Sequence, residues 1–160
     1  MRKTLALMSF GLLAATALPL HAAGTVEITY VEPEKFSDIG FGSVDRDITL
    51  RQMTAVLQEF AAKLPDGQTL KLEVTNINLA GELRTGHGRE VRVLRGMADW
   101  PEINLRYTLQ AGGSTLKSGD AKIYDLAYQQ GASSINNVGT NLPYERRMLR
   151  EWFAKTFADH

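Results

Sequence analysis

The strongest constraint on the fold is a strictly alternating segment in the C-terminal half of the chain. Apolar side chains occupy every second position from Ile103 to Leu109, and polar side chains occupy the positions between them. Because neighbouring side chains of a strand point to opposite faces, this pattern predicts a strand with one buried and one solvated face. Ala-Gly-Gly-Ser at 111–114 predicts a hairpin turn, followed by a return strand with an irregularity at Gly119. Such a sheet needs a second layer over its apolar face.

Two amphipathic helices are predicted to supply that layer. In the first, apolar residues recur at spacings of three and four from Leu50 to Leu64, and Asp47 is the predicted N-cap residue. The turn sequence Leu-Pro-Asp-Gly ends this helix at 64–67. The second helix starts at Pro143. Its predicted buried face consists of Leu149, Trp152, Phe153 and Phe157.

Further strands precede the alternating segment. Residues 26–31 predict a short strand, and residues 70–79 predict a second one whose alternation changes phase near Thr75, which indicates a bulge. Residues 91–93 are a third candidate strand, whereas the polar, glycine-rich stretch at 81–88 predicts a loop. The predicted order is β-α-β-β-β-β-α. We therefore expect an α+β fold, a two-layer sandwich in which two amphipathic helices cover one face of a mostly antiparallel sheet of roughly four to five strands.

The N-terminus has the order of segments found in a secretory signal peptide. Arg2 and Lys3 precede a mostly apolar stretch at 5–20, and small residues follow at 22–24. The stretch is shorter than the ~20 apolar residues of a transmembrane helix, so an uncleaved membrane anchor is the less favoured alternative. We expect residues 1–23 to be a cleaved signal peptide and residues 24–160 to be a single globular domain in the periplasm, without a membrane span.

Charge and composition exclude several classes of function. The chain has 18 Lys and Arg residues against 18 Asp and Glu, and cleavage would remove Arg2 and Lys3, so we expect no nucleic-acid partner. Cysteine is absent, which excludes disulfides and thiolate metal sites. Beyond the signal segment, histidine occurs only at His87 and His160. We therefore expect neither a transition-metal site nor a cofactor.

A glycine-rich loop after the first strand is one candidate binding surface, with Phe36, Asp38 and Phe41. Loops on a packed scaffold are where binding residues concentrate, but both rings would be structural if they packed beneath the first helix. Asp38, Asp45 and Asp47 together are the one candidate calcium site worth testing. Their spacing differs from that of an EF-hand, and turn formation with helix capping explains them better.

A basic segment and one tryptophan are the other candidates. Arg84, Arg89, Arg92 and Arg95 lie close together in the sequence with His87, diluted by acidic residues. Such a segment could grip an anionic envelope component through bidentate contacts, but charged runs more often protect an exposed strand edge. Trp100, directly before Pro101, offers an aromatic platform for a sugar or a peptide, or else covers the edge of the sheet.

Several short segments of the sequence occur together in a known family. They are residues 26–31 with 33–40, 78–82, 100–101, 125–128, and 144–149 with 152–153. In this combination and order, the chain resembles the bacterial exported-protein family known as domain of unknown function 3016, over essentially the whole mature chain. The resemblance implies a protein exported by Gram-negative bacteria and without an established activity, and it supplies no catalytic residues.

The sequence contains no coherent catalytic set. The favoured function is therefore a non-catalytic binding or accessory module for an envelope component, either a protein or a glycan. The alternative is a small hydrolase that uses carboxylates such as Asp38, Asp120 or Asp125 on an envelope glycan or peptide. A deep pocket with two convergent carboxyl groups would favour the hydrolase, whereas a shallow groove with exposed aromatic side chains would favour binding.

Overall fold

The computed structural model describes residues 23–86, 89–130 and 142–157 of the 160-residue chain, without the side chains at 86, 89 and 90. The predicted signal segment up to residue 22, His87 and His160 lie outside the described residues. The described part is α+β, with a four-stranded sheet, a two-stranded sheet and two α-helices. No helix in these ranges is long and apolar enough to cross a membrane.

The main sheet combines one parallel and two antiparallel strand pairs. The elements are β1 (Thr25–Tyr30), a short 3-10 helix (Pro33–Lys35), α1 (Ser43–Ala61), β2 (Gln68–Asn78), β3 (Glu82–Gly86), β4 (Arg89–Val93), β5 (Glu102–Ala111), β6 (Ser114–Tyr124) and α2 (Pro143–Phe157). The order in the sheet is β1-β2-β5-β6. β1 and β2 are parallel and α1 connects them, because parallel neighbours need a long crossover. The other two pairs are antiparallel.

The predicted bulge in β2 is confirmed. The register between β2 and β5 shifts between Val74 and Asn76, and the Thr75 hydroxyl donates a hydrogen bond to the Asn104 carbonyl oxygen at 3.2 Å. The shift brings Ile77 onto the buried face after the change of phase. The alternation of β5 is equally visible in the structure, where its apolar positions face the core.

The segment at 82–86 is a strand and not the predicted loop. β3 pairs with β4 in a separate antiparallel hairpin, so the predicted strand at 91–93 belongs to this hairpin and not to the main sheet. The observed order is therefore β-α-β-β-β-β-β-α, with one strand more than predicted. An alternating pattern is lacking in this segment because none of the side chains at 82–85 is buried.

The prediction of Asp47 as the N-cap of α1 is wrong. The helix begins at Ser43, its N-cap residue is Gly42, and Asp45 supplies the acidic residue of the first turn. Gly40 has a φ of 115°, and a Cβ atom there would come within 2.6 Å of the Asp45 Cβ atom. Glycine at position 40 therefore lets the loop turn into the helix earlier than the apolar spacing indicates.

The hydrophobic core combines the buried side chains of the main sheet with side chains from both helices. Leu149 and Phe157 of α2 are buried, and Trp152 and Phe153 pack against the core, so all four residues of the predicted helix face contribute. The Tyr107 ring of β5 lies edge-on to Trp152 and Phe157, with 5.8 and 5.7 Å between ring centroids. Edge-on aromatic pairs of this kind stabilise a core beyond the area they bury.

The predicted irregularity at Gly119 is misplaced. Gly119 pairs with Tyr107 in regular register, and the register between β5 and β6 shifts between Leu109 and Gln110 instead. A Cβ atom at position 119 would come within 3.0 Å of the Tyr107 hydroxyl oxygen. Glycine therefore makes room at this position for the edge of an aromatic ring.

We expect Leu57→Ala and Leu149→Ala each to lower the free energy of unfolding by ~2–5 kcal/mol, because both side chains are buried in the core. Leu116→Ala is the matched control, since Leu116 is 45% exposed on β6, and it should change stability by less than ~0.5 kcal/mol. Chemical denaturation measures all three. Equal effects of the core variants and the control would contradict the core assignment.

Candidate functional site

A cleft opens at the end of the main sheet where β2 ends and β5 begins. Its volume is about 590 Å³, and its walls come from the loop at 36–41, the chain after β2 and the segment between β4 and β5. Asp38 pins the loop to the sheet through an isolated parallel bridge with Asn78. The Asp38 N–H donates to the Ile77 carbonyl oxygen, and the Leu79 N–H donates to the Asp38 carbonyl oxygen, each at 3.1 Å. Backbone pairing thus holds one wall of the cleft.

Arg92 of β4 connects the hairpin to this loop. Its guanidinium donates to both carboxylate oxygens of Asp38, with Nη1–Oδ2 and Nη2–Oδ1 distances of 2.8 and 3.1 Å. Nη1 also donates to the carbonyl oxygens of Ala80 and Gly81, at 3.2 and 3.0 Å. A planar guanidinium suits this two-point contact with a carboxylate. The glycine-rich loop and the basic segment, two separate surfaces in the sequence, therefore meet at one cleft.

A buried carboxyl group lies next to this ion pair. Glu145, in the first turn of α2, is 3% exposed, and its Oε1 accepts a hydrogen bond from the Ala80 N–H at 2.7 Å. Burial raises the pKa of Glu145, while the Ala80 hydrogen bond and the positive charge of Arg92 oppose the rise. Glu145 is not among the candidate residues predicted from the sequence. Its position four residues before Leu149, on the buried side of α2, was the available signal.

Tyr128 and Asp99 hold the segment between β4 and β5 in place. The Tyr128 hydroxyl donates to Asp99 Oδ1 at 2.5 Å and accepts the Gly96 N–H at 3.2 Å. Asp99 also accepts the Arg95 N–H on Oδ2, at 2.7 Å, and the Gly81 N–H on its carbonyl oxygen, at 2.9 Å. Burial and the Asp99 hydrogen bond raise the pKa of Tyr128 to about 12. The hydroxyl therefore remains a donor at neutral pH.

The three carboxylates considered for hydrolysis lie in different places. Asp38 is engaged by Arg92. Asp125 accepts a hydrogen bond from Arg147 Nη2 at 2.6 Å, so it anchors the N-terminal half of α2. Asp120 lines a separate depression on the polar face of the sheet, next to β5. The structure thus does not bring these three side chains together at the cleft.

The aromatic candidates occupy different environments. Phe36 is buried, and its ring lies edge-on to Tyr30 with 6.4 Å between centroids. Phe41 is 51% exposed and lines the cleft. Trp100 is partly buried, and its carbonyl oxygen accepts a hydrogen bond from Asn78 Nδ2 at 3.2 Å. One ring of the loop therefore belongs to the core and the other is available to a ligand.

The described part of the basic segment carries little free positive charge. Arg84 and Arg95 both pair with Glu82, with N–O distances of 3.1 and 3.0 Å, and Arg92 pairs with Asp38. The side chain of Arg89 lies outside the described residues. Internal pairing of this kind weakens the interpretation of the segment as a grip for an anionic component.

The acidic residues considered for calcium do not form a cluster. Asp38 is paired with Arg92, while Asp45 and Asp47 are exposed on the first turns of α1. Within the ranges that the structure describes, no group of three or more His, Asp or Glu side chains could hold a metal ion.

Comparison with known proteins identifies the family. A family model described as "Protein of unknown function (DUF3016)" matches residues 24–155. The chain belongs to the DUF3016 family. No curated protein and no solved structure matches it. The suspected resemblance is thus confirmed over most of the chain.

Each of the short segments that carry the DUF3016 resemblance contributes a residue in or beside the cleft. Asp38 comes from the first of them, and Ala80 comes from the second. Trp100 lies beside the cleft, Tyr128 fixes the segment between β4 and β5, and Glu145 belongs to the last of these short segments. Segments that are far apart in this DUF3016 sequence therefore share one hydrogen-bonded region.

We expect Arg92→Lys to lower the free energy of unfolding by ~1–3 kcal/mol, because a lysine cannot reproduce the two-point contact with Asp38. Arg84→Lys on the same hairpin is the control, since its pair with Glu82 is solvent-exposed. Urea denaturation of both variants measures the difference. An Arg92→Lys protein as stable as the control would show that the contact does not hold the hairpin.

Glu145 should make stability depend on pH. Its pKa is raised in the folded chain, so the unfolded chain ionises first as the pH rises. The contribution is therefore fully present below the ordinary value of 4.5 and is lost as the pH rises through the raised value. Glu145→Gln keeps an oxygen acceptor for the Ala80 N–H but cannot ionise. Denaturation curves from about pH 4 to about pH 8 should show this decline in the parent only, and identical profiles would contradict the assignment.

Proposed function

We propose that this protein is a non-catalytic binding module that recognises a component of the bacterial envelope, a protein or a glycan, through the cleft. The observation that carries the proposal is the way three chain segments are held around one open, mostly polar cleft with Phe41 exposed in its wall. Binding sites are commonly loops that a rigid scaffold positions, and here hydrogen bonds from Arg92 and Tyr128 supply the rigidity.

The placement of the carboxyl groups favours binding over hydrolysis. A glycosidase needs two carboxyl groups about 5–9.5 Å apart on either side of the scissile bond. Among the residues that the structure describes, four acidic ones line the cleft: Glu34, Asp38, Glu82 and Asp99. Asp38 and Glu82 are paired with arginines, and the Asp99 carboxylate accepts hydrogen bonds from the Tyr128 hydroxyl and the Arg95 N–H. Asp125 is engaged by Arg147, and Glu145, whose pKa is raised, is buried beside the Ala80 backbone. The hydrolase alternative therefore has the weaker support.

The proposal takes the fold as a two-layer sandwich with both helices on one face of the main sheet. Support comes from the single cluster that α1, α2 and the buried strand residues form. It also comes from the opposite faces of the strands, where exposed charged residues such as Lys71, Glu73 and Arg106 alternate with the buried ones. In this arrangement, the ends of the strands with their loops and the polar face of the sheet are open to solvent, and the cleft lies at the strand ends.

Export is the second part of the proposal, and it rests on the signal-like N-terminal sequence. We expect the processed protein to begin at Ala23 or Gly24 and to be recovered in the periplasmic fraction of a Gram-negative host. Intact-mass spectrometry of each cell fraction measures both properties. Full-length chain in the membrane fraction would overturn this part of the proposal.

Site-specific photocrosslinking tests the binding surface. The photoreactive residue p-benzoylphenylalanine replaces Phe41, and a control carries it at Leu116, which has similar exposure at the far end of β6. Irradiation of cells that export the full chain should give adducts from position 41 and not from position 116. The proposal fails if position 41 gives no adduct or if both positions give the same adducts.

A further inference from the structure

Two further depressions adjoin the cleft. The first has a volume of about 260 Å³ and shares Ser37, Asn78 and Asp99 with the cleft. The second has a volume of about 340 Å³ and shares Trp100 and Glu102 with the first. Because neighbouring depressions share wall residues, the three adjoin one another in sequence, and we refer to them together as the groove.

The groove crosses strand ends and does not follow a strand edge. Asn78 is the last residue of β2, Glu102 is the first residue of β5, and Tyr124 is the last residue of β6. β2, β5 and β6 are neighbours in the sheet, so all three residues lie at the same end of it. An extended peptide usually gains affinity by pairing its backbone with an open strand edge, and the groove offers side chains instead.

Aromatic side chains recur along the groove. Phe41 lines the cleft, Trp100 lines both further depressions, and Tyr124, which is 53% exposed, lines the last one. Aromatic rings present a flat apolar surface at low entropic penalty. The C–H faces of pyranose rings stack on such surfaces, while their hydroxyl groups need polar neighbours.

Charged side chains of both signs line the groove, and several of them are paired with one another. Glu82 pairs with Arg84 and Arg95, and Glu102 pairs with Lys122 at 3.1 Å. The uncharged side chains of Ser37, Asn76 and Asn78 line the middle depression. A strongly charged polymer would have to displace these internal ion pairs. A polyhydroxylated, uncharged chain would instead exchange neutral hydrogen bonds, such as those from Ser37 Oγ to Asn76 Oδ1 and from Asn78 Nδ2 to the Trp100 carbonyl oxygen.

We infer that the groove binds a neutral glycan chain, which stacks on Trp100 and Tyr124 and reaches into the cleft beside Phe41. The inference rests on the proposed binding function and adds the chemical class of the ligand. Several successive sugar rings fit the arrangement, because the rings and polar side chains are spread over three connected depressions.

The test titrates the processed protein with neutral hexasaccharides: β-1,4-linked N-acetylglucosamine, β-1,4-linked glucose and α-1,4-linked glucose. A hexamer of galacturonic acid and an uncharged Ser/Thr-rich decapeptide serve as the charged and peptide probes. Calorimetry should detect binding of at least one neutral hexasaccharide, and the affinity should be the same at low and high salt concentration. Tryptophan fluorescence should respond too, since Trp100 lines the groove and Trp152 packs against the core.

The variants locate the binding. Trp100→Ala and Tyr124→Ala should each lower the affinity for the tightest-binding neutral hexasaccharide by about tenfold, because each variant loses one aromatic contact. Trp100→Phe should retain most of the affinity, and Leu116→Ala on the same strand as Tyr124 should retain all of it. A thermal melt of every variant separates lost binding from lost folding.

Other results of these experiments would overturn the glycan inference, and some would also overturn the proposed binding function. The glycan inference is overturned if none of the neutral hexasaccharides binds, if the galacturonate hexamer binds more tightly, or if both alanine variants bind like the parent. Binding of the decapeptide alone, or a Phe41 crosslink to a protein alone, would also overturn it while the proposed binding function stands. Absence of both hexasaccharide binding and Phe41 crosslinks would reject the proposed function as well.

Discussion

The two-point contact between Arg92 and Asp38 is the interaction on which the candidate site depends. A two-stranded hairpin such as β3–β4 is marginally stable by itself in water, so it needs an anchor on the rest of the protein. Arg92 supplies one, because its guanidinium spans the Asp38 carboxylate and the carbonyl oxygens of Ala80 and Gly81. Asp38 is in turn held by backbone pairing beside β2. The hairpin, the loop and the sheet are thereby joined at one point.

The buried carboxyl group of Glu145 lies next to the Arg92–Asp38 pair, so charge as well as geometry determines the stability of this contact. The Glu145 carboxyl group receives the Ala80 N–H, while Arg92 takes the carbonyl oxygen of the same residue. Arg92 therefore lies between two acidic groups, and its charge favours the ionised form of Glu145 while Asp38 disfavours it. Replacement of Arg92 by an uncharged residue would leave Asp38 without this partner and remove the positive charge near Glu145. The hairpin and α2 are thus coupled through one guanidinium, although they are separate elements.

The sequence predicts the parts of the fold that depend on one buried face, and it does not predict contacts between distant segments. The alternation from Ile103 to Leu109 predicts β5, and the change of phase near Thr75 predicts the bulge, because burial leaves a periodic trace. β3 has no such periodic pattern, since none of its side chains at 82–85 is buried. Arg92 and Asp38 are 54 positions apart, and Glu145 and Ala80 are 65 apart. Their pairing follows from the topology, which no local pattern contains.

The distribution of charge indicates why a ligand would meet the domain at the strand ends. On the polar sides of the strands, charged residues face partners on neighbouring strands, as in the Glu73–Arg106 pair at 3.1 Å. Such cross-strand pairs stabilise the sheet and satisfy one another, so this surface offers few groups to a partner. Asn78, Glu102 and Tyr124 are the last cross-strand partners at their end of the sheet, and beyond them the chain leaves the strands. Amide and aromatic groups can there point into the groove while the sheet behind them stays rigid. Under the proposed function, the fold thus separates a surface that maintains stability from an end that binds the ligand.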